Sequence, residues 1–212
     1  MSLAGTTAGT SWLALVLLLF AEPFWQTRPP SEWNDIELAQ FLADSPWAQM
    51  AAPPGKTGTA PAVQIYLATA GPVQRAVAER NRRLALRRSD DAKVAAEDLL
   101  GEEFAAWFAD NRAEQIIVAA RIGNNNAFSS ESETRHMQQD SAMDLGRYKV
   151  KMSGYFPPTR SDPHLYLAFP RGQVSPADKT VTFELYLPGV SGPFRTVQFK
   201  VKDLLVNGKL EL

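Results

Sequence analysis

Two histidines, no cysteine and one dense run of arginines bound the chemistry open to this chain. Without a thiol there is no cysteine nucleophile, no thiolate metal site and no disulfide. Glu133, His136 and Asp140 stand at i, i+3 and i+7, so one helical face can present two carboxylates and an imidazole. That is a weak set for a divalent cation, because transition-metal sites need more nitrogen or sulfur ligands held in place. The Ser, Glu and Gln around it favour a solvated segment, and the only further imidazole is His164. No metal and no cofactor is expected. Ser153, in Met152-Ser153-Gly154, lacks the Gly-x-Ser-x-Gly setting of a nucleophile elbow. Gly55-Lys56-Thr57 resembles the tail of a phosphate-binding loop, but Met50 stands where that loop needs its first glycine. Carboxylates are plentiful, yet no pair stands out for acid–base work.

The arginines are the best single lead. Arg75, Arg80, Arg82, Arg83, Arg87 and Arg88 fall within about four helical turns, and Arg80, Arg83 and Arg87 form one row spaced by three and four. That row is a candidate anion-binding surface for an acidic protein or an anionic envelope surface. Glu79 is placed to pair with Arg82 and Arg83, and Asp90 and Asp91 follow, so a solvated and internally paired helix face competes with it. Val73, Val77 and Leu84 should face the core. A net charge of −1 and the lack of aromatics between the arginines argue against nucleic acid. Trp25, Trp33 and Trp47 lie beside Pro29, Pro30 and Pro46 and could line an aromatic groove. Core packing is the better reading for them.

These residues need elements to carry them. Ile36, Ala39, Phe41, Leu42 and Ala43 follow at mainly helical spacing, with Pro46 ending the helix near Asp44 or Ser45. Residues 51–61 have linker composition, and 63–68 alternate as a strand. Pro72 favours a first helical position, and a helix through the arginines to Arg88 follows. A second helix over 92–110 carries Leu100, Phe104, Trp107 and Phe108 as one apolar stripe. Residues 115–122 are apolar throughout and read as a central strand. From 123 to 146 no period persists, which predicts a long surface loop, with at most one helical turn near 136–143. Strands at 148–154, 164–169, 180–187 and 195–202 alternate with period two, and Asn207-Gly208 suits a tight hairpin. The expected fold is therefore α+β: a single domain over 22–212, one mainly antiparallel sheet covered by helices. Helices fill its N-terminal half and strands its C-terminal half.

The first 21 residues carry no charged side chain, and Trp12 to Ala21 form an apolar run too short to span a bilayer. This predicts a secretory signal cleaved after Ala21, and hence export to the periplasm or beyond. Phe24-Trp25, Glu32-Trp33, Asp44-Ser45-Pro46-Trp47-Ala48, Phe169-Pro170-Arg171 and the ending Asn207-Gly208-Lys209-Leu210-Glu211-Leu212 together resemble a group of exported bacterial proteins with a similar layout. The resemblance covers both ends and loosens between about 71 and 148. It implies export and a single α+β unit, and it brings no functional residues with it. The expected role is an exported, non-enzymatic binding or structural protein of the cell envelope. The rival is an envelope hydrolase using a carboxylate pair, which would need two convergent carboxylates in a concave pocket.

Overall fold

The computed structural model describes residues 22–55, 60–89, 101–123, 126–159 and 161–212. The expected signal (1–21), Lys56 and Thr57, the first half of the expected second helix with Leu100, and Asp90 and Asp91 lie outside the described residues. No helix among the described residues is long and apolar enough to cross a membrane.

Helices come first. After a single turn, α1 (Phe24–Thr27), the chain forms α2 (Asp35–Phe41), started by a capping box: Asn34 Oδ1 accepts from Glu37 N, and Glu37 Oε2 accepts from Asn34 N. Phe41 is fully buried and touches the rings of Trp25, Trp33 and Trp47. Trp33 Nε1 donates to Arg28 O and Trp47 Nε1 to Glu211 O, both at 3.0 Å. Trp33 and Trp47 are thus buried core residues that bond inward.

The strands are not one sheet but two main sheets and a two-stranded C-terminal hairpin. The first has the order β1 (Ala48–Ala51), β2 (Val63–Leu67), β3 (Gln115–Arg121), β7 (His164–Pro170), β6 (Gly154–Phe156), and every pairing is antiparallel. The second runs β5 (Lys149–Lys151), β4 (Ala142–Asp144), β8 (Thr180–Tyr186), β9 (Phe194–Lys200), also antiparallel. The expected strand over 148–154 is therefore divided. Its first half pairs in one sheet, the chain crosses at Met152-Ser153, and its second half joins the other sheet. Alternation tells which residues face inward; it does not tell which sheet they serve.

The two sheets pack face to face. Phe169 of β7 meets Phe183 of β8 at 5.1 Å between ring centroids, and Phe183 meets Phe199 of β9 at 6.0 Å. All three rings are buried in one core that includes both sheets. The outward face of the second sheet is polar, with Lys149 Nζ bound to Glu184 at 2.7 Å.

The other face of the first sheet carries the helices α3 (Gly71–Ser89) and α4 (Glu102–Asn111). Phe104 of α4 is buried, its ring 4.2 Å from that of Tyr166, and Trp107 and Phe108 are half-buried against the same core. Val73 is fully buried, but Leu84 is partly exposed and lines a cleft rather than the core.

The expected loop over 123–146 is a correction. It holds a short 3-10 turn, helix α5 (Glu131–Asp140) and strand β4. Only Met137 of α5 is buried, so the helix has no apolar stripe for a periodicity reading to find. Its start is marked instead by Ser130, whose side chain accepts from Glu133 N. At the end of the chain, β10 (Leu205–Val206) and β11 (Lys209–Leu210) form the hairpin, with Asn207 and Gly208 both at positive φ as a two-residue primed turn requires.

Candidate functional site

Between α3 and the first sheet lies a cleft of about 330 Å³. Its floor is built by the period-two geometry of the strands. Gln64 of β2, Arg121 of β3 and His164 of β7 project on the helix-facing side of the sheet, where Arg121 and His164 are direct register partners. Its walls are Arg80, Asn81 and Leu84 of α3 and the turn Ser161-Asp162-Pro163.

The most organised chemistry is on that turn and strand. Asp162, His164 and Tyr166 alternate along the chain, so all three point the same way, and all three are buried. Asp162 Oδ1 bonds His164 Nδ1, and Tyr166 Oη donates to Asp162 Oδ2 at 2.6 Å. Burial pushes the Asp162 carboxyl up, but the hydrogen bonds from His164 and Tyr166 and the His164 charge outweigh it, and the net shift is downward. With Nδ1 committed to a carboxylate, Nε2 is the free nitrogen of the ring, an acceptor when His164 is neutral and a donor when it is protonated. His164 Nε2 is buried and has no hydrogen-bond partner among the described residues.

Two tyrosines back the imidazole. The Tyr66 and Tyr166 rings lie 5.5 and 6.0 Å from that of His164, in an edge and a tilted arrangement. Burial drives the Tyr66 phenol up to about 12, against the pull of the nearby Arg80 guanidinium. Tyr166 is pushed up further, by burial first and then by the charges of Tyr66 and Asp162. Both hydroxyls therefore stay neutral donors through the physiological range.

The arginine row is divided by the fold. Arg83 donates from Nε to Glu79 at 2.6 Å, from Nη1 to Asp35 at 3.1 Å and from Nη2 to Trp33 O at 2.6 Å. Arg87 is ion-paired with the same Asp35. Arg82 takes Glu79 as a fork, both bonds at 2.7 Å, and the two guanidiniums hold the Glu79 carboxyl down to about 2. Arg80 is different: it has no ion pair among the described residues, and it lines the cleft. Arg121, which the sequence reading passed over, is likewise without an ion pair there and joins it on the rim. The cleft thus gathers two guanidiniums without an ion pair among the described residues, the Asp162 carboxylate and one partly unsatisfied imidazole.

Glu133, His136 and Asp140 do lie on a helix. Glu133 is engaged, since Tyr186 Oη donates to its Oε1 at 3.0 Å, and the His136 ring packs against Tyr186 at 5.6 Å. No group of three metal-ligating side chains converges among the described residues. As for paired carboxylates, Asp162 is the one carboxylate lining the cleft among the described residues, and both its oxygens are in use. A second cavity of about 450 Å³, on the outer face of the second sheet, has Asp140 and Glu184 in its wall together with Lys149 and Lys151. There Lys149 takes both oxygens of Glu184 at 2.7 Å.

Sequence reasoning met His164 only as the second histidine of the chain. The signal it passed over is Asp162-Pro163-His164-Leu165-Tyr166: polar residues on every second position of an otherwise apolar strand. Comparison with protein families, with curated proteins and with solved structures found no match.

Proposed function

We propose that the protein is an exported, non-enzymatic binding protein of the cell envelope that holds a small anionic ligand in the cleft beside α3. One observation carries the reading: Arg80 and Arg121, both without an ion pair among the described residues, line the same cleft as His164, whose buried Nε2 makes no hydrogen bond with a described residue. A buried polar atom without a partner is costly and calls for a reason beyond packing. Positive charge left uncompensated around a concave site attracts an anion. Binding is favoured over carboxylate-pair hydrolysis because, among the described residues, the cleft offers one carboxylate, and that one is spent orienting His164. The envelope address is supported by the apolar run from Trp12 to Ala21 alone.

The test has two arms. Fractionation of the host cell should find the chain, shortened after Ala21, outside the cytoplasm. NMR titration of the purified protein with acetate and with inorganic phosphate should shift the backbone signals around Arg80, Arg121 and His164, and Arg121→Gln should weaken the response. Residence in the cytoplasm with an intact N-terminus overturns the address; titrations that leave those signals in place overturn the ligand site.

A further inference from the structure

The basic cleft has an apolar neighbour under α3. On the other side of Asn81, which borders both, α3 and the sheet enclose a second cavity of about 200 Å³. Its lining changes character. Val77 and Ala78 of α3, Phe104 and Phe108 of α4 and the rings of Tyr66 and Tyr166 replace the arginines. The order follows from the elements themselves. Along β2 and β7, same-face neighbours step from Gln64 to Tyr66 and from His164 to Tyr166; along α3, one turn back from Arg80 and Asn81 leads to Val77 and Ala78. Under α3 the lining thus changes from guanidinium to aromatic across Asn81.

We infer that the two neighbouring cavities act as one groove and that its ligand is an amphipathic monoanion, a carboxylate carrying a medium-length apolar chain or ring. The carboxylate lies among Arg80, Arg121 and His164, and the apolar part lies between Val77 and the Phe104 and Phe108 rings. The inference rests on the anion-binding reading of the cleft and extends it. A bare inorganic anion leaves the apolar half of the groove without use. A neutral hydrocarbon leaves the two guanidiniums and the imidazole without use. Arg121 sits on the exposed rim, where it can meet the head group without being part of the core.

NMR titration with acetate, hexanoate, octanoate and 1-octanol separates the parts. Affinity should rise from acetate to octanoate by about fourfold for each methylene that leaves water, levelling off when the apolar cavity is full. Arg121→Gln should weaken octanoate binding by about tenfold or more and leave 1-octanol unchanged. Ala78→Phe, at an exposed helix position that borders the apolar cavity, should remove the chain-length dependence while acetate still binds. Acetate and octanoate binding equally well in the unaltered protein overturns the amphipathic inference and leaves the anion site standing. Binding of neither acid overturns both. Binding of 1-octanol as tight as octanoate, with Arg121→Gln without effect, overturns the anionic end.

Discussion

Arg83 and Asp35 are separated by 48 residues of sequence and by 3.1 Å in space, and their ion pair fastens the middle of α3 to the first turn of α2. Arg83 does more than pair. It also satisfies Trp33 O and shares Glu79 with Arg82, while its side chain is only 19% exposed. Arg87 touches the same Asp35 from a side chain that is 63% exposed. Exposed pairs are worth little, and a half-buried guanidinium bonded to three groups is worth more. Arg83→Gln should therefore lower the urea midpoint clearly, and Arg87→Gln should leave it close to the unaltered value. Equal midpoints for the two variants would contradict this division of the arginine row.

The acid limb of stability should report Asp162. Its folded-state pKa is depressed, so its stabilising contribution is present above the ordinary carboxylate pKa of about 4 and is lost as pH falls through the lower folded value. Asp162→Asn should cost about 1–3 kcal/mol near neutral pH, because His164 and Tyr166 lose a charged acceptor. It should also flatten the fall in stability below pH about 4. Denaturant titrations across pH 2–7 measure both effects. An equally steep acid limb in the variant would remove Asp162 from the account. Tyr66 works on the alkaline side with the opposite sign: its raised pKa, about 12, means stability present below the ordinary phenol value and lost as pH climbs toward 12.

Packing between the sheets sets the third expectation. Phe169 and Phe183 are each fully buried and stand in edge contact across the two sheets. Phe169→Ala or Phe183→Ala should destabilise by about 3–5 kcal/mol, and the double variant should cost less than the sum because the cavity is shared. Trp107→Ala, at a half-buried ring on α4, should cost less than either. Equilibrium unfolding of the four variants decides it.

Much of this architecture is legible residue by residue. Val181, Phe183 and Leu185 alternate in the sequence and are all buried in the fold; Phe104, Trp107 and Phe108 share one helix face and pack on the sheet. What the pattern lacks is partner information. Tyr148 to Gly154 reads as one strand because both its halves alternate, although they hydrogen-bond in different sheets. Helix α5 is hidden because a helix that buries Met137 alone has no stripe. The cleft is hidden for a related reason: Arg80 belongs to an apparent row with Arg83 and Arg87. Only the three-dimensional position of Asp35, on another helix, shows that Arg83 and Arg87 pair with the same carboxylate there, while Arg80 has no ion pair among the described residues and lines the cleft.

The chain's last hairpin bears on the start of α3, which leads to the last prediction. Gly71 N, the first amide of α3, donates to Glu211 Oε2 at 3.0 Å, and Trp47 Nε1 donates to Glu211 O. A carboxylate at a helix N-terminus satisfies an amide that has no partner within the helix and complements the helix dipole. Because 140 residues separate the two, the bond also ties the C-terminal hairpin to the helix that walls the cleft. Glu211→Gln should cost about 0.5–1 kcal/mol through the lost charge, and Glu211→Ala about 0.5–2 kcal/mol through the lost cap. A Cβ at position 71 would stand 2.8 Å from Glu211 Oε2, so Gly71→Ala should push the carboxylate away and destabilise by a similar amount. Combining Gly71→Ala with Glu211→Ala should then cost no more than Glu211→Ala alone, since both remove the same contact. Additive losses in that double-mutant cycle would show that the two residues act separately and that the hairpin does not hold the helix start.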